Sequence, residues 1–329
     1  MDVSYFLVTQ FEPSRSMDGI AEEFVRQTEL VRDGGFHSLF VGEHHATDDN
    51  YFLNEAVVSY LADHVGEMML GTGMCLLPYH NPVRIAEFGA TVDHLTDGGF
   101  RLGVAQGYRP EEYAVFGVDK SDALARFVEG VQVIKRLWTE ESVSYEGKVF
   151  SFEDVSINPK PVQDPRPEII TGASNESSVR RAAKLTDGWI GAHVPFDVAR
   201  EQTEAFHDEA SKLEGDRRNG LAREVFVAET TEAAEAAVRE PLMEKYGSYS
   251  DWGQDDAIED DDFDSPWEKL RHERFLVGTP EEVVGEIERY RDALDLDELK
   301  IRMQFPTIAL EDTHRSLELF VDEVLPEIS

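Results

Sequence analysis

The sequence has too little cysteine for a disulfide framework or a cysteine-ligated metal centre. Its 329 residues contain one cysteine, Cys75, which lies in a predicted strand. A single thiol cannot form an internal disulfide, and the regular ligand spacing of structural zinc is missing from the sequence. We therefore expect neither a disulfide-stapled secreted domain nor a structural zinc protein.

Basic residues are also scarce. Lys and Arg number 31 against 67 Asp and Glu, which gives a formal net charge of −36, and the acids are spread along the whole chain. Nucleic-acid binding is excluded, because phosphate backbones require a basic surface. Self-repulsion of such a surface is screened by molar salt, where the Debye length is about 3 Å. We interpret the composition as halophilic, of the haloarchaeal type, and expect high salt to stabilise the protein.

Long apolar runs are missing as well. No stretch reaches the roughly 18 apolar residues of a membrane span, and the first residues lack the basic region and apolar run of a signal peptide. Because 41% of the residues are apolar, the chain can still bury a full core. These features predict a cytoplasmic protein without membrane association.

What the sequence does contain is a regular alternation of strand-like and helix-like segments. The junctions "RDGGFHSLFVG" (32–42) and "TDGGFRLGVAQG" (96–107) resemble each other, and "LTDGWIGA" (185–192) is a shorter version. Each is interpreted as a helix with a glycine C-cap that leads into a buried strand. Eight strands are predicted, each followed by a helix.

Eight such units favour one closed (β/α)8 TIM barrel, a single domain over residues 1–329, rather than an open sheet. A dinucleotide-binding Rossmann domain is disfavoured, because no GxGxxG follows the first strand. Residues 145–167 are predicted to be irregular, and 267–275 to form a surface helix. The acidic, aromatic segment 246–267 is either a solvated insertion or a mobile lid over the barrel mouth.

Ligands of such barrels bind at the carboxyl ends of the strands, so position after a strand selects the candidate residues. They are Glu43, His44 and His45 after strand two, Gly73 and Met74 in strand three, Gln106, Arg109 and Glu112 after strand four, Gly172, Ser174 and Asn175 after strand five, His193 after strand six, and Arg302 on strand eight.

The motif "EHH" (43–45) has three interpretations. A metal site is disfavoured, because neighbouring residues leaving a strand point in different directions and His193 would have to supply a distant ligand. A histidine that is only hydrogen-bonded into the barrel rim is a second possibility. An imidazole that donates or accepts a proton fits the position better.

The segment "TGASNESSVRRAAKL" (171–185) places hydroxyl side chains where a strand turns into a helix. Free N–H groups and the helix dipole can hold an anion there, with Ser174, Ser177 and Ser178 as further donors. Alternatively, Ser174 or Asn175 is only an N-cap. A cofactor phosphate is the more specific hypothesis.

Together these motifs resemble the bacterial-luciferase-like flavin monooxygenases. The resemblance covers nearly the whole chain, through "GFHSLFVGEHH", "LGTGMCLLPYHNPVRIAE", "GGFRLGVAQGYRPEEYAVFG", "YEGKVFSFEDVSINPKPVQ", "IITGASNESS" and "FLVGTPEEV". It implies a (β/α)8 barrel that binds reduced FMN or, in one branch, the deazaflavin F420 at its mouth. Residues 246–275 then correspond to a mobile active-site loop.

The resemblance also implies roles for individual residues. His44 would lie beside the flavin ring and manage protons, assisted by Glu43 or His45. Gly73 and Met74 match a non-prolyl cis peptide that supports the ring. Glu112 matches an acid near the flavin, and the serines match a phosphate site that includes Gly172. Gln106 stands where the luciferases have a phosphate-binding arginine, and Arg109 is a candidate replacement.

The function implied is a monooxygenase in which reduced FMN and O2 form a C4a-peroxyflavin that oxygenates a small organic substrate. A separate flavin reductase and a homodimer are expected partners. His193 stands where light-emitting members have a tryptophan, so bioluminescence is not predicted. One alternative is an F420-dependent hydride transfer on the same fold, which "EHH" disfavours. A second is a non-catalytic flavin-binding or partner subunit, which the missing arginine at Gln106 favours and His44 opposes.

Overall fold

Eight parallel strands close into a barrel. The computed structural model describes residues 1–252, 263 and 265–328. The strands are β1 (Asp2–Leu7), β2 (Ser38–Val41), β3 (Met69–Thr72), β4 (Phe100–Ala105), β5 (Glu168–Ala173), β6 (Gly188–Gly191), β7 (Arg218–Val227) and β8 (Glu298–Arg302). Each pairs in parallel with the next, and β8 pairs with both β7 and β1. The (β/α)8 barrel predicted from the alternation is thereby confirmed.

Helices surround the barrel. They are α1 (Ile20–Asp33), α2 (Asn54–Leu61), α3 (Pro82–Leu95), α4 (Pro110–Val115), α5 (Ala123–Thr139), α6 (Glu176–Leu185), α7 (Phe196–Ala210), α8 (Thr231–Asp251), α9 (Trp267–Arg274), α10 (Pro280–Leu294), α11 (Leu310–Leu319) and α12 (Leu325–Ile328). Asn81 caps α3, and Pro82 occupies its first turn, where a missing N–H costs nothing. Among the described residues, no helix is both long and apolar enough to cross a bilayer.

The floor of the barrel is polar and charged. Arg101 of β4 donates two hydrogen bonds to Glu298 of β8, at 3.0 and 2.9 Å, and a third to Glu168 at 2.6 Å. Ser4 and Ser38 complete this layer, with hydrogen bonds to Glu298 and from Arg101. Arg101 and Glu298 are almost fully buried, so the pair links opposite sides of the barrel in a medium that screens charge poorly.

Above the floor, the strand alternation places an apolar layer and then a layer of small residues. The apolar layer contains Phe6, Phe40, Ile170, Ile190 and Ala222. Two residues further along their strands lie small residues, which are Gly42, Gly172 and Ala192. A Cβ on Gly42 would lie 2.6 Å from Cζ of Phe6, and a Cβ on Gly172 would lie 3.3 Å from Cγ of Met74, so these glycines accommodate the Phe6 and Met74 side chains.

The glycine junctions behave as predicted in two cases of three. After α1 and α3, Gly35 and Gly98 both have φ of +88°, a conformation that favours glycine. The prediction is wrong for 185–192, where α6 ends at an extended Thr186 and Gly188 belongs to β6. A Cβ on Gly188 would lie 3.0 Å from the Arg218 carbonyl oxygen, so this glycine permits close strand pairing.

Two further predictions are corrected. The segment 145–167 is not wholly irregular, because Val143–Glu146 and Ser151–Val155 form an antiparallel pair. Residues 267–274 are helical as predicted, but Trp267 and Leu270 are buried in the core, so α9 is not simply a surface helix. Of the predicted lid, 253–262 and 264 lie outside the described residues, whereas 246–251 extend α8.

Candidate active site

Glu43, which follows β2, organises the side chains around it. It is 5% exposed, and its Oε1 atom accepts hydrogen bonds from Nε2 of His45 at 2.7 Å and of His80 at 2.8 Å. Its Oε2 accepts the Leu76 N–H at 2.5 Å. Burial alone would raise the pKa of Glu43, but the hydrogen bonds outweigh burial and hold the pKa at about 2. The carboxylate is therefore ionised and joins the segment after β2 to the segment after β3.

His44 pairs with a different acid, Glu112 of α4. His44 Nδ1 lies 3.0 Å from Glu112 Oε1, and the same oxygen accepts the His45 N–H at 2.8 Å. Glu112 is fully buried; burial acts to raise its pKa, but the hydrogen bond from His44 and the neighbouring donors lower the pKa overall. An ionised carboxylate at Nδ1 requires the proton on that nitrogen. Nε2 of the neutral ring is then a free base or, once protonated, an acid.

Aromatic side chains surround the His44 ring. The ring centroid lies 5.7 Å from that of Tyr51, 5.9 Å from Tyr108 and 5.3 Å from Trp252, which follows α8. Trp252 also lies against the Arg109 guanidinium, 4.5 Å from the ring centroid. The first part of the predicted lid thus contacts the imidazole, and the His44 side chain is enclosed by apolar ring faces.

Arg109 is 4% exposed and belongs to the His44 side of the mouth. Its Nη1 donates to the His45 carbonyl at 2.8 Å and approaches Glu112 Oε1 at 3.4 Å. Among the described residues, its Nε atom and the Tyr108 hydroxyl have no hydrogen-bond partner although both are buried. Buried donors without partners are costly, so these two atoms are suited to a polar ligand.

The peptide bond between Gly73 and Met74 is cis, as the resemblance implies. A Cβ on Gly73 would lie 2.6 Å from Cβ of Phe40, so only glycine fits. The Met74 side chain extends across the barrel interior, where Cβ atoms on Gly103 and Gly172 would lie 2.7 and 3.3 Å from its Sδ and Cγ. These residues form a flat, apolar support next to the small-residue layer.

The serine loop after β5 is a helix N-terminus. Asn175 caps α6, because its Oδ1 accepts the Ser178 N–H at 3.0 Å, and Ser178 Oγ returns to the Asn175 backbone. Ser177 Oγ donates to Asn175 Oδ1 at 2.9 Å. The N-cap interpretation is therefore correct for Asn175, while the N–H groups of Glu176 and Ser177 begin the helix and can face an anion.

A second group of charges is buried at the ends of β7 and β8. Glu224 of β7 forms an ion pair with Lys245 of α8 and accepts from the Tyr246 hydroxyl at 3.2 Å. His193 Nε2 lies 3.5 Å from Glu224 Oε1, and burial lowers the pKa of His193 well below its usual range. Arg302 donates to the Tyr249 hydroxyl at 2.9 Å.

Some predicted residues are brought together, and others are not. Glu43, His44, His45, Arg109 and Glu112 form one connected group. Ser174, Ser177 and Ser178 lie in a second group, on the other side of the Met74 side chain from the first. The hydroxyl of Tyr113 donates to the backbone carbonyl of Gln106 at 2.9 Å.

The sequence did not single out His80, Trp252 or Lys245 for the site. His80 bonds to Glu43 from 37 positions further along the chain. Lys245 and Trp252 belong to a helix whose relation to the mouth depends on the fold alone.

A metal site would use different residues from those considered in the sequence. Among the described residues, Glu43, Cys75 and His80 have ligand atoms within 4.8 Å of one another. His193 lies elsewhere, beside Glu224. The Glu43 oxygens already accept three hydrogen bonds, and burial raises the pKa of the Cys75 thiol well above its usual value. We interpret the group as a hydrogen-bonded support.

Comparison with known proteins gives a consistent result. A family model described as luciferase-like monooxygenase matches residues 1–296. Among curated proteins, the oxygenase component of a flavin-dependent trigonelline monooxygenase from Acinetobacter baylyi is 27% identical over 334 aligned residues, which cover 94% of this chain and 90% of that protein.

Solved structures share the fold along the full chain. The monooxygenase RslO1 from Streptomyces bottropensis superposes with a TM-score of 0.90 at 23% identity, and each chain covers 100% of the other. The oxygenating constituent of 3,6-diketocamphane monooxygenase from Pseudomonas putida, solved with FMN, gives 0.83 at 19% identity, covering 100% of this chain and 99% of that one. At these identities the likeness shows the fold.

Proposed function

The chain belongs to the luciferase-like monooxygenase family, and from this premise we propose that it is an oxygenase that uses reduced FMN and O2 to oxygenate a small organic substrate. The observation that carries the proposal is the His44–Glu112 pair at the mouth of the barrel, 3.0 Å apart, with His44 Nε2 left for a ligand. We also propose that one domain, residues 1–329, contains the whole site.

The residues present fit FMN. Met74, which packs against the apolar layer of the barrel, offers the flavin ring an apolar surface. The Tyr108 hydroxyl and Arg109 Nε are buried donors that a polar ring edge can satisfy. For the phosphate, the N-terminus of α6 supplies N–H groups, with Ser174 and Ser177 beside them. When bound, reduced flavin supplies the electrons that activate O2.

The protein's own contribution is proton control and exclusion of water. Glu112 fixes the tautomer of His44, so that Nε2 can accept a proton from, or return it to, a group in the mouth. Glu43 and His45 flank His44 in the chain and are hydrogen-bonded to each other, and Glu43 is also bonded to His80. These bonds fix the backbone on both sides of His44. Trp252 covers His44 and Arg109, which keeps water from the imidazole.

The partners follow from the same proposal. The similar trigonelline enzyme is described as an oxygenase component, which supports a separate flavin reductase for this chain. We propose a homodimer formed through the barrel helices. Leu53, which precedes α2, is 59% exposed, and Tyr60, within α2, is 50% exposed, so both offer apolar surface to a partner. The measured mass in solution, with Tyr60→Glu as the disruptive variant, tests this assembly.

We further propose that the protein is cytoplasmic and adapted to concentrated salt. The formal charge of −36 supports this, since a folded chain of this size concentrates that repulsion on its surface. Functional experiments should therefore be made in about 2 M KCl, where the Debye length is a few ångströms.

The decisive experiment mixes O2 with an anaerobic solution of the protein and photoreduced FMN. The absorbance of the flavin is then followed as it reoxidises. An oxygenase should delay the return of the oxidised-flavin spectrum relative to free FMN, and His44→Ala should shorten the delay by about 10² or more. Glu318→Gln, an exposed change on α11, is the control. Tight F420 binding with no effect on FMN reoxidation would refute the proposal and favour hydride transfer.

A further inference from the structure

In the charged group at the ends of β7 and β8, Arg302 makes no direct bond to a carboxylate of the described residues. Arg302 lies on β8 in line with Glu298 and Lys300, so its side chain enters the barrel above the floor. Its guanidinium lies 5.5 Å from the Phe6 ring centroid, and the residue is 4% exposed. Arg302 is thus held inside the mouth rather than at its outer edge.

Two of the three nitrogens of this guanidinium are engaged. Nε donates to the Gln304 carbonyl at 3.1 Å and Nη1 to the Tyr249 hydroxyl at 2.9 Å. Nη2 is buried and, within the described part of the chain, has no hydrogen-bond partner. Both established partners are neutral, so neither of them balances the charge of the guanidinium.

The nearby carboxylate is already committed. Glu224 pairs with Lys245, accepts from Tyr246 and lies beside His193. Glu224 is therefore engaged directly by Lys245, and within the described residues no carboxylate oxygen is bonded directly to Arg302. A ligand carboxylate can supply that direct contact.

We propose that Arg302 binds a carboxylate group of the oxygenated substrate. A guanidinium fork matches a planar carboxylate, and Nη2 supplies a donor that no group of the described residues uses. Tyr249 connects this subsite with the reactive side of the mouth, because its ring lies 5.3 Å from that of Trp252, which contacts His44. The substrate is therefore a small organic acid, oxidised at a position away from its carboxylate.

The substrate class rests on the proposed function, but its test does not depend on oxygen chemistry. Calorimetric titration of FMN-loaded protein without O2, in 2 M KCl, compares benzoate with benzamide and hexanoate with hexanamide. Each pair has the same shape and differs in charge. At least one acid should bind ten times more tightly than its amide, and Arg302→Met should abolish that preference without changing amide binding.

Arg223 provides the matched control. It is fully buried and also has guanidinium atoms without partners, but its charge lies 4.6 Å from the Tyr290 ring centroid, against α10 outside the barrel. Arg223→Lys should keep the preference for the acid. Arg302→Lys retains the charge and should keep part of the preference for the acid. This variant keeps the proposal testable if Arg302→Met does not fold.

Two results would overturn the proposal. They are equal binding of acids and amides by the unmodified protein, and an acid preference that survives Arg302→Met. If Arg302→Met keeps the acid preference and loses FMN affinity, Arg302 is assigned to the cofactor instead. Failure of the oxygenase proposal would be seen separately, in the reoxidation experiment, because the titrations contain no O2.

Discussion

Replacing Glu43 by Gln tests whether one carboxylate supports the whole rim around His44. The change keeps the size of the side chain but removes the charge that His45 and His80 share. The pKa of Glu43 falls from 4.5 to about 2, and a tenfold change in an acid constant corresponds to about 1.4 kcal/mol. Folding is therefore stabilised by about 3 kcal/mol through this ionisation.

The pH dependence follows from the direction of that change. A carboxylate with a lowered pKa contributes its full stabilisation above about pH 4.5 and loses it as the pH falls towards 2. Burial acts to lower the pKa of His45, but its bond to Glu43 raises the pKa overall, so the His45 contribution is lost as the pH rises above its folded-state pKa. The Glu43–His45 pair should stabilise most in mildly acidic solution.

Thermal unfolding followed by circular dichroism in 2 M KCl measures the effect. For 329 residues, an unfolding entropy of about 2.1 cal/mol/K per residue converts 3 kcal/mol into a decrease in Tm of about 4 °C for Glu43→Gln. Glu318→Gln, an exposed change on α11, is the matched control and should shift Tm by less than about 1 °C. If Glu43→Gln and Glu318→Gln have the same Tm at both pH 7 and pH 5.5, the assignment of Glu43 as the central support is wrong.

Three further changes probe the barrel and its surface. Arg101→Met leaves Glu298 buried without its bidentate partner and should lower the free energy of unfolding by about 3–5 kcal/mol in urea titrations, and a loss below 1 kcal/mol would contradict this. Gly103→Ala places a Cβ against the Thr72 carbonyl and should destabilise the barrel and weaken FMN binding, whereas Gly285→Ala on α10, with open space around it, should stabilise by up to about 1 kcal/mol. Tm should rise by several degrees between 0.1 and 2 M KCl, because salt screens a net charge of −36, and a flat or falling Tm would refute the halophilic interpretation.

The barrel could be predicted because its signals are local. Most strands contain a short apolar run, the segments between them have helical patterns, and glycines such as Gly35 and Gly98 mark turns between the two. The exceptions were features set by distant contacts. Trp267 and Leu270 are buried because they meet the core, which the polar composition of "WEKLRHER" does not reveal.

Only part of the candidate site could be predicted, again because local patterns are visible in the sequence and distant contacts are not. Position after a strand correctly brought His44, Glu112 and Arg109 to one place, since parallel strands end at the same edge. It could not show that Glu43 binds His80, or that Arg302 donates to Tyr249, because those facts depend on which side chains meet in the folded chain. The Asn175 cap was recognised as an alternative because capping is a local pattern.

The place of Trp252 gives the protein a built-in optical probe. The other three tryptophans, Trp138, Trp189 and Trp267, are at most 4% exposed and lie in the core, whereas Trp252 is partly exposed and touches Arg109 and His44. Its emission should therefore change when a ligand enters the mouth, while the emission of the other three stays nearly constant. Occupancy of the mouth can thus be read from unlabelled protein, and Trp252→Phe supplies the blank.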